Sequence, residues 1–130
     1  MLFLLGGCGE SMVSSLITPA GVNSSAPNIS VDVSGNPILS WQRKEGEVTI
    51  LEYSIFSEGS WSAPTEVARG EDWFVNWADF PSISHNEKSN VMISHHLQKS
   101  SDLTFSYDVN YHFLIVGKGT KCKNMNIMKI

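Results

Sequence analysis

Residues 47–61 read Glu47-Val48-Thr49-Ile50-Leu51-Glu52-Tyr53-Ser54-Ile55-Phe56-Ser57-Glu58-Gly59-Ser60-Trp61. The run from Glu47 to Phe56 is rich in β-branched and aromatic residues and alternates in character, which is the pattern of a strand. Ser57-Glu58-Gly59 then supplies a turn, and Trp61 to Ala68 reads as a short outer strand. Upstream, Asn28 to Val33 precedes the turn signal Ser34-Gly35-Asn36. Pro37 to Gln42 follows, and the polar stretch Arg43 to Gly46 leads into the long strand. Four short strands thus succeed one another with tight connections, which predicts an antiparallel meander.

The pattern recurs. A shift of 54 positions brings Pro27 onto Pro81, Ile29 onto Ile83, Ser30 onto Ser84, Asn36 onto Asn90, Ser40 onto Ser94 and Tyr53 onto Tyr107. Apolar pairs fill in between: Ile38 with Met92, Leu39 with Ile93, Leu51 with Phe105 and Ile55 with Val109. The second copy is expected to place strands at Ser82 to Ser84, Asn90 to Leu97 and Leu103 to Val109. Four antiparallel strands in roughly 40 to 50 residues make one blade of a β-propeller. The expected fold class is all-β: two four-stranded antiparallel blades of a propeller, the second incomplete. A single β-sandwich with two similar hairpins is the alternative. The expected organisation is a first blade over 27–68, an inter-blade loop over 69–80 and a partial second blade over 81–110. Where the second copy should repeat the turn and its Trp, it reads Tyr111-His112-Phe113-Leu114-Ile115, so the pattern is expected to break near Asn110.

Charge and composition narrow the function classes. The 130 residues carry a net charge of −4, and 42% of them are apolar, enough to build a core rather than a disordered chain. All 13 acidic residues lie at or before Asp108, alongside five basic ones. That body is strongly acidic, which argues against nucleic acid as a partner. Residues 111–130 carry Lys118, Lys121, Lys123 and Lys129 without any acid, and read as a tail of doubtful frame. The chain opens Met1-Leu2-Phe3-Leu4-Leu5-Gly6-Gly7-Cys8, and Leu5-Gly6-Gly7-Cys8 resembles the lipobox of bacterial lipoproteins. The resemblance implies a signal remnant over 1–8, a lipid anchor on Cys8, a flexible tether over 9–26 and a place on the bacterial cell envelope.

The run Ser54 to Pro64 resembles the Asp-box, or BNR repeat, of sialidase-like propellers, with Gly59, Ser60, Trp61, Ser62 and Pro64 matching in kind. Glu58 stands for the Asp, and the turn is one residue short. Asp-box residues are structural, so Trp61 is expected in the core, and Trp41, at the end of the second strand, is expected there too. The resemblance implies a six-bladed ring and an intact protein acting on glycans as a sialidase-like exo-glycosidase. Its expected residues are Asp79 as proton donor and Arg43 orienting an anionic sugar. Asp72, Trp73, Asn76, Trp77 and His95 would bind the substrate, because the stretch Glu71 to Phe80 is long and aromatic for a linker. The family's Arg-Ile-Pro motif is absent at Ala26-Pro27-Asn28-Ile29, which the alternative explains: a non-catalytic propeller that binds glycan or protein. No cofactor is expected, since neither a phosphate loop nor zinc-spaced cysteines occur. No metal is expected either, because His95 and His96 are neighbours on a strand and point to opposite faces.

Overall fold

The computed structural model describes residues 17–86, 88–102 and 106–115. Cys8, Cys122 and the basic lysines of the tail lie outside them. Among the described residues eight strands run in chain order: β1 Ser24–Val31, β2 Pro37–Glu45, β3 Val48–Ser57, β4 Ser60–Trp61, β5 Thr65–Gly70, β6 Ile83–His85, β7 Val91–Lys99 and β8 Tyr107–Ile115. No helix occurs among the described residues. The strands form two antiparallel sheets. The first runs β1-β2-β3, with β4 and β5 in succession on the outer edge of β3, and the second runs β6-β7-β8.

Local chemistry explains the first sheet. Gly46, at φ 62°, begins the two-residue turn between β2 and β3, where a left-handed first position suits the twist of a hairpin. Glu58 (φ 51°) and Gly59 (φ 81°) make the turn from β3 to β4. Two successive positive φ values are the type I′ geometry, which closes a hairpin in two residues. The fourth strand is interrupted at Ser62-Ala63-Pro64, where Pro64 has no N–H to give a ladder. Ser62 repairs the gap: its N–H donates to the Ile55 carbonyl at 2.9 Å, and its own carbonyl accepts the Ser54 hydroxyl at 2.7 Å. The tether expected to reach Ala26 ends sooner, because Ser24 and Ser25 already pair with Arg43 and Gln42. The ladder is irregular between Ser25 and Asn28, the place where Pro27 lacks a donor.

The sheets pack face to face, with β1 against β6 and β5 against β8. Ile38, Leu51, Tyr53 and Val67 of the first sheet meet Ile83, Met92 and Leu114 of the second, and Trp73 closes one end. Val67 reaches this core through a bulge. It lies between the pairs Glu52 with Glu66 and Leu51 with Ala68, and has no partner of its own in the ladder. Trp41 is buried, as expected. Trp61 is half-buried and packs edge-on against Phe56, with ring centroids 5.2 Å apart.

Register corrects the repeat. Strands β2 and β7 coincide under the 54-residue shift, but their neighbours do not. Asn28, not Ile29, stands opposite Ser40, whereas Ile83 stands opposite Ser94. A slip of one residue exchanges the faces of a strand. Ile29 is accordingly 69% exposed, while Ile83 is 1% exposed. The third strand slips further: Ile38 faces Ile55, and Met92 faces Leu114 rather than Val109. The cause is the connection, since β2 and β3 are joined by Gly46 and Glu47 alone, while residues 100–106 separate β7 from β8. The place of Tyr53 is therefore held by His112, each opposite a buried serine. The turn of the first copy is absent after Asn110. Tyr111 to Ile115 continue β8, and the partial second unit extends past the expected boundary.

Candidate functional site

The connection from β5 to β6 builds two clefts, one on each face of the second sheet. It begins as an extra rung on β7: the Lys99 N–H donates to the Asp72 carbonyl at 2.8 Å, and the Phe74 N–H to the Leu97 carbonyl at 2.9 Å. This rung turns Trp73 inward. Its indole is 5% exposed and stacks on the His96 ring, with centroids 4.0 Å apart and planes 12° apart. Gly70 is required beneath it, because a Cβ there would lie 2.5 Å from the indole Nε1.

The chain then turns on Asn76, whose side-chain oxygen accepts the N–H of Ala78 at 2.7 Å and of Asp79 at 2.8 Å. The turn throws Trp77 outward, to 90% exposure. Asn76 is thus the residue that shapes the loop. On the far side, Phe74 stacks on Tyr107, with centroids 5.0 Å apart. Between loop and sheet lies a cleft of about 490 Å³, whose walls include Asp79, Phe80, His95, Tyr107, Tyr111 and Asn28. His95 and Tyr111 stand opposite one another in the ladder. Burial lowers the His95 pKa below its ordinary value, which favours the neutral ring.

The second cleft, about 350 Å³, lies on the inner face between β5 and the second sheet. A continuous polar chain lines it. Gln98 Nε2 donates to Asp72 Oδ2, Asn110 Nδ2 donates to Gln98 Oε1 at 2.6 Å and lies 3.3 Å from His96 Nε2, and His96 Nδ1 lies 2.8 Å from His112 Nε2. Burial, followed by the charge of His112, lowers the His96 pKa to about 4; burial also lowers that of His112. His95 and His96 do point to opposite faces, and each serves its own cleft. Among the described residues no three His, Cys, Asp or Glu side chains converge as a cation site.

The residues expected to act together are separated. Asp79, His95 and the loop around Trp77 gather at the first cleft, and Asp72 and Trp73 at the second. Arg43 lines neither. Its Nε and Nη2 donate to the two oxygens of Glu52 at 3.1 and 3.0 Å, and Glu52 also takes the Trp41 indole N–H at 3.0 Å. The hydrogen bond to Glu52 raises the Arg43 pKa further and fixes the guanidinium to the first sheet. Asp79 is exposed, whereas a carboxylic acid that donates a proton near neutrality needs burial. Tyr107, Tyr111, Asn110 and His112, all on β8, escaped the sequence reading, because the register offset between Val109 and Leu114 hid the alternation of that strand.

Compared with protein-family models, with curated proteins and with solved structures, the chain matches none of them.

Proposed function

We propose that the chain supplies two blades of a sialidase-like β-propeller that binds glycans at the rim beside Trp77 and does not hydrolyse them. The strand order supports the propeller. The outermost strand of the first sheet leads through residues 71–82 to the first strand of the second, and the first strands of the two sheets, β1 and β6, lie side by side. Consecutive propeller blades have this connection. A lipid anchor on Cys8 would hold the protein on the bacterial envelope, where surface glycans are within reach.

The exposure of Trp77 carries the reading. A 90%-exposed indole, fixed outward by a hydrogen-bonded turn, is a poor contributor to folding and a good platform for a sugar ring. Asp79, Tyr107, Tyr111 and neutral His95 in the adjoining cleft offer acceptors and donors for hydroxyl groups. The binding reading is favoured over hydrolysis because Arg43 is committed to Glu52 and Asp79 is exposed.

Calorimetric titration of the full chain with sialosides and neutral oligosaccharides, alongside assay for released monosaccharide, tests this reading. Saturable binding without release is expected. Release of sugar restores the hydrolase, and absence of binding to every glycan removes the proposal.

A further inference from the structure

We propose that the chain of side chains Asp72, Gln98, Asn110, His96 and His112 is an acid-sensitive latch on the loop that carries Trp77, undone by a single proton taken up by the imidazole pair. The proposal rests on the glycan-binding reading for its purpose, but its test requires no sugar.

Donor counting fixes the neutral state. Asn110 Nδ2 lies 2.6 Å from Gln98 Oε1 and 3.3 Å from His96 Nε2, so its two hydrogens serve both. His96 Nε2 is then an acceptor, and the ring's proton sits on Nδ1, where it is donated to His112 Nε2 at 2.8 Å. At the other end Gln98 Nε2 donates to the Asp72 carboxylate. Gln98 thus presents its carbonyl to Asn110 and its amino group to the carboxylate.

A proton added to either ring upsets that order. If His96 takes it, both of its nitrogens are donors. If His112 takes it, His112 Nε2–H faces His96 Nδ1, which accepts only when the His96 proton has moved to Nε2. In both cases an N–H on His96 Nε2 meets the Asn110 amino group. Asn110 is relieved by turning its amide over, and Gln98 must follow, because two carbonyl oxygens would otherwise face each other. Gln98 then presents Oε1 to Asp72, and an attraction becomes a repulsion. No covalent bond changes; one proton enters from solvent. A charged ring on the face of Trp73 is itself favourable, so the stack survives and loosening begins at Asp72.

Four charged groups and a third imidazole surround the pair. Asp72 and Asp108, the latter opposite Gln98 on β8, lie at the carboxylate end. Glu66 and Arg69 on β5 are paired with one another, and His95 lies on the reverse face of β7. Burial lowers the pKa of both rings, that of His96 to about 4.

The test is amide hydrogen exchange of the full chain by NMR at pH 7 and at pH 4, without ligand. The reporters are the Phe74 and Lys99 N–H groups, which tie the loop to β7, and the Ile50 N–H of the first sheet is the control. Protection at Phe74 and Lys99, corrected for the intrinsic pH dependence of exchange, is expected to fall at least tenfold further than at Ile50, which reports the loss of global stability alone. The Asp72→Asn variant should suppress the fall, because the introduced carboxamide can rotate and donate to the reversed Gln98. Protection that falls no further at Phe74 and Lys99 than at Ile50 overturns the latch, as does an equal selective loss in Asp72→Asn. A selective loss in a protein that binds no glycan upholds the latch and removes only the binding reading.

Discussion

Trp41 donates its indole N–H to Glu52 at 3.0 Å, and the same carboxylate accepts from Nε and Nη2 of Arg43. Glu52 and Trp41 are buried, so the carboxylate satisfies an indole N–H that would otherwise lack a partner and neutralises its own charge against Arg43. Glu52→Ala is expected to destabilise the protein by about 2–4 kcal/mol. Glu52→Gln, which keeps an acceptor for Trp41, should cost about half as much. Urea unfolding measures both, and Arg43→Met should leave glycan affinity unaltered.

Two tryptophans on the same connection should behave oppositely. Trp77→Ala is expected to change stability by less than about 0.5 kcal/mol, since it removes little buried surface, yet to weaken glycan binding at least tenfold. Trp73→Ala empties a core site and should cost about 3–5 kcal/mol. Thermal unfolding and calorimetric titration of the two variants separate the roles.

Acid should weaken the fold through His96. Its pKa is lowered from 6.5 to about 4, so between those values the unfolded chain binds the proton and the folded chain does not. Stability is therefore full above about pH 6.5 and declines as pH falls toward about 4. With solvent screening allowed for, this group contributes a decline on the order of 2–3 kcal/mol. The decline should be shallower in His96→Gln, which has no proton to gain. Urea midpoints measured at half-unit pH intervals check the slope.

Glu58 occupies a left-handed position that suits Asn or Gly better than Glu. Glu58→Asn should stabilise the hairpin by about 0.5–1 kcal/mol, and Gly59→Ala, at φ 81°, should destabilise it by about 1 kcal/mol or more. Thermal midpoints will show opposite signs.

Much of the fold was legible in particular residues. The alternation from Glu47 to Phe56 marked β3, Ser57-Glu58-Gly59 marked its turn, and Pro37 to Gln42 marked most of β2. The gap-free repeat misled where connections differ in length, because side-chain alternation has a period of two and a short insertion moves residues to another face. It paired Ile29 with Ile83 across that change of face, and it ended the second unit before Leu114, which is fully buried. The loop around Trp77 stood out by its aromatic content. The polar chain behind Trp73 did not, since it joins residues 26 and 14 positions apart that only the register of β7 and β8 brings together. Arg43 was read as a free ligand because its partner, Glu52, lies across a hairpin whose register the sequence does not state.

The most direct test of glycan recognition at the Trp77 rim is the contact map of a bound oligosaccharide. Saturation-transfer and chemical-shift NMR on the full chain, with the best ligand from the titration panel, would locate it. The perturbed signals are expected to centre on the Trp77 indole, with Tyr107, Tyr111 and His95 beside it, and to vanish in Trp77→Ala. Perturbations confined to the Arg43–Glu52 face, or a map unaltered by Trp77→Ala, would contradict recognition at this rim.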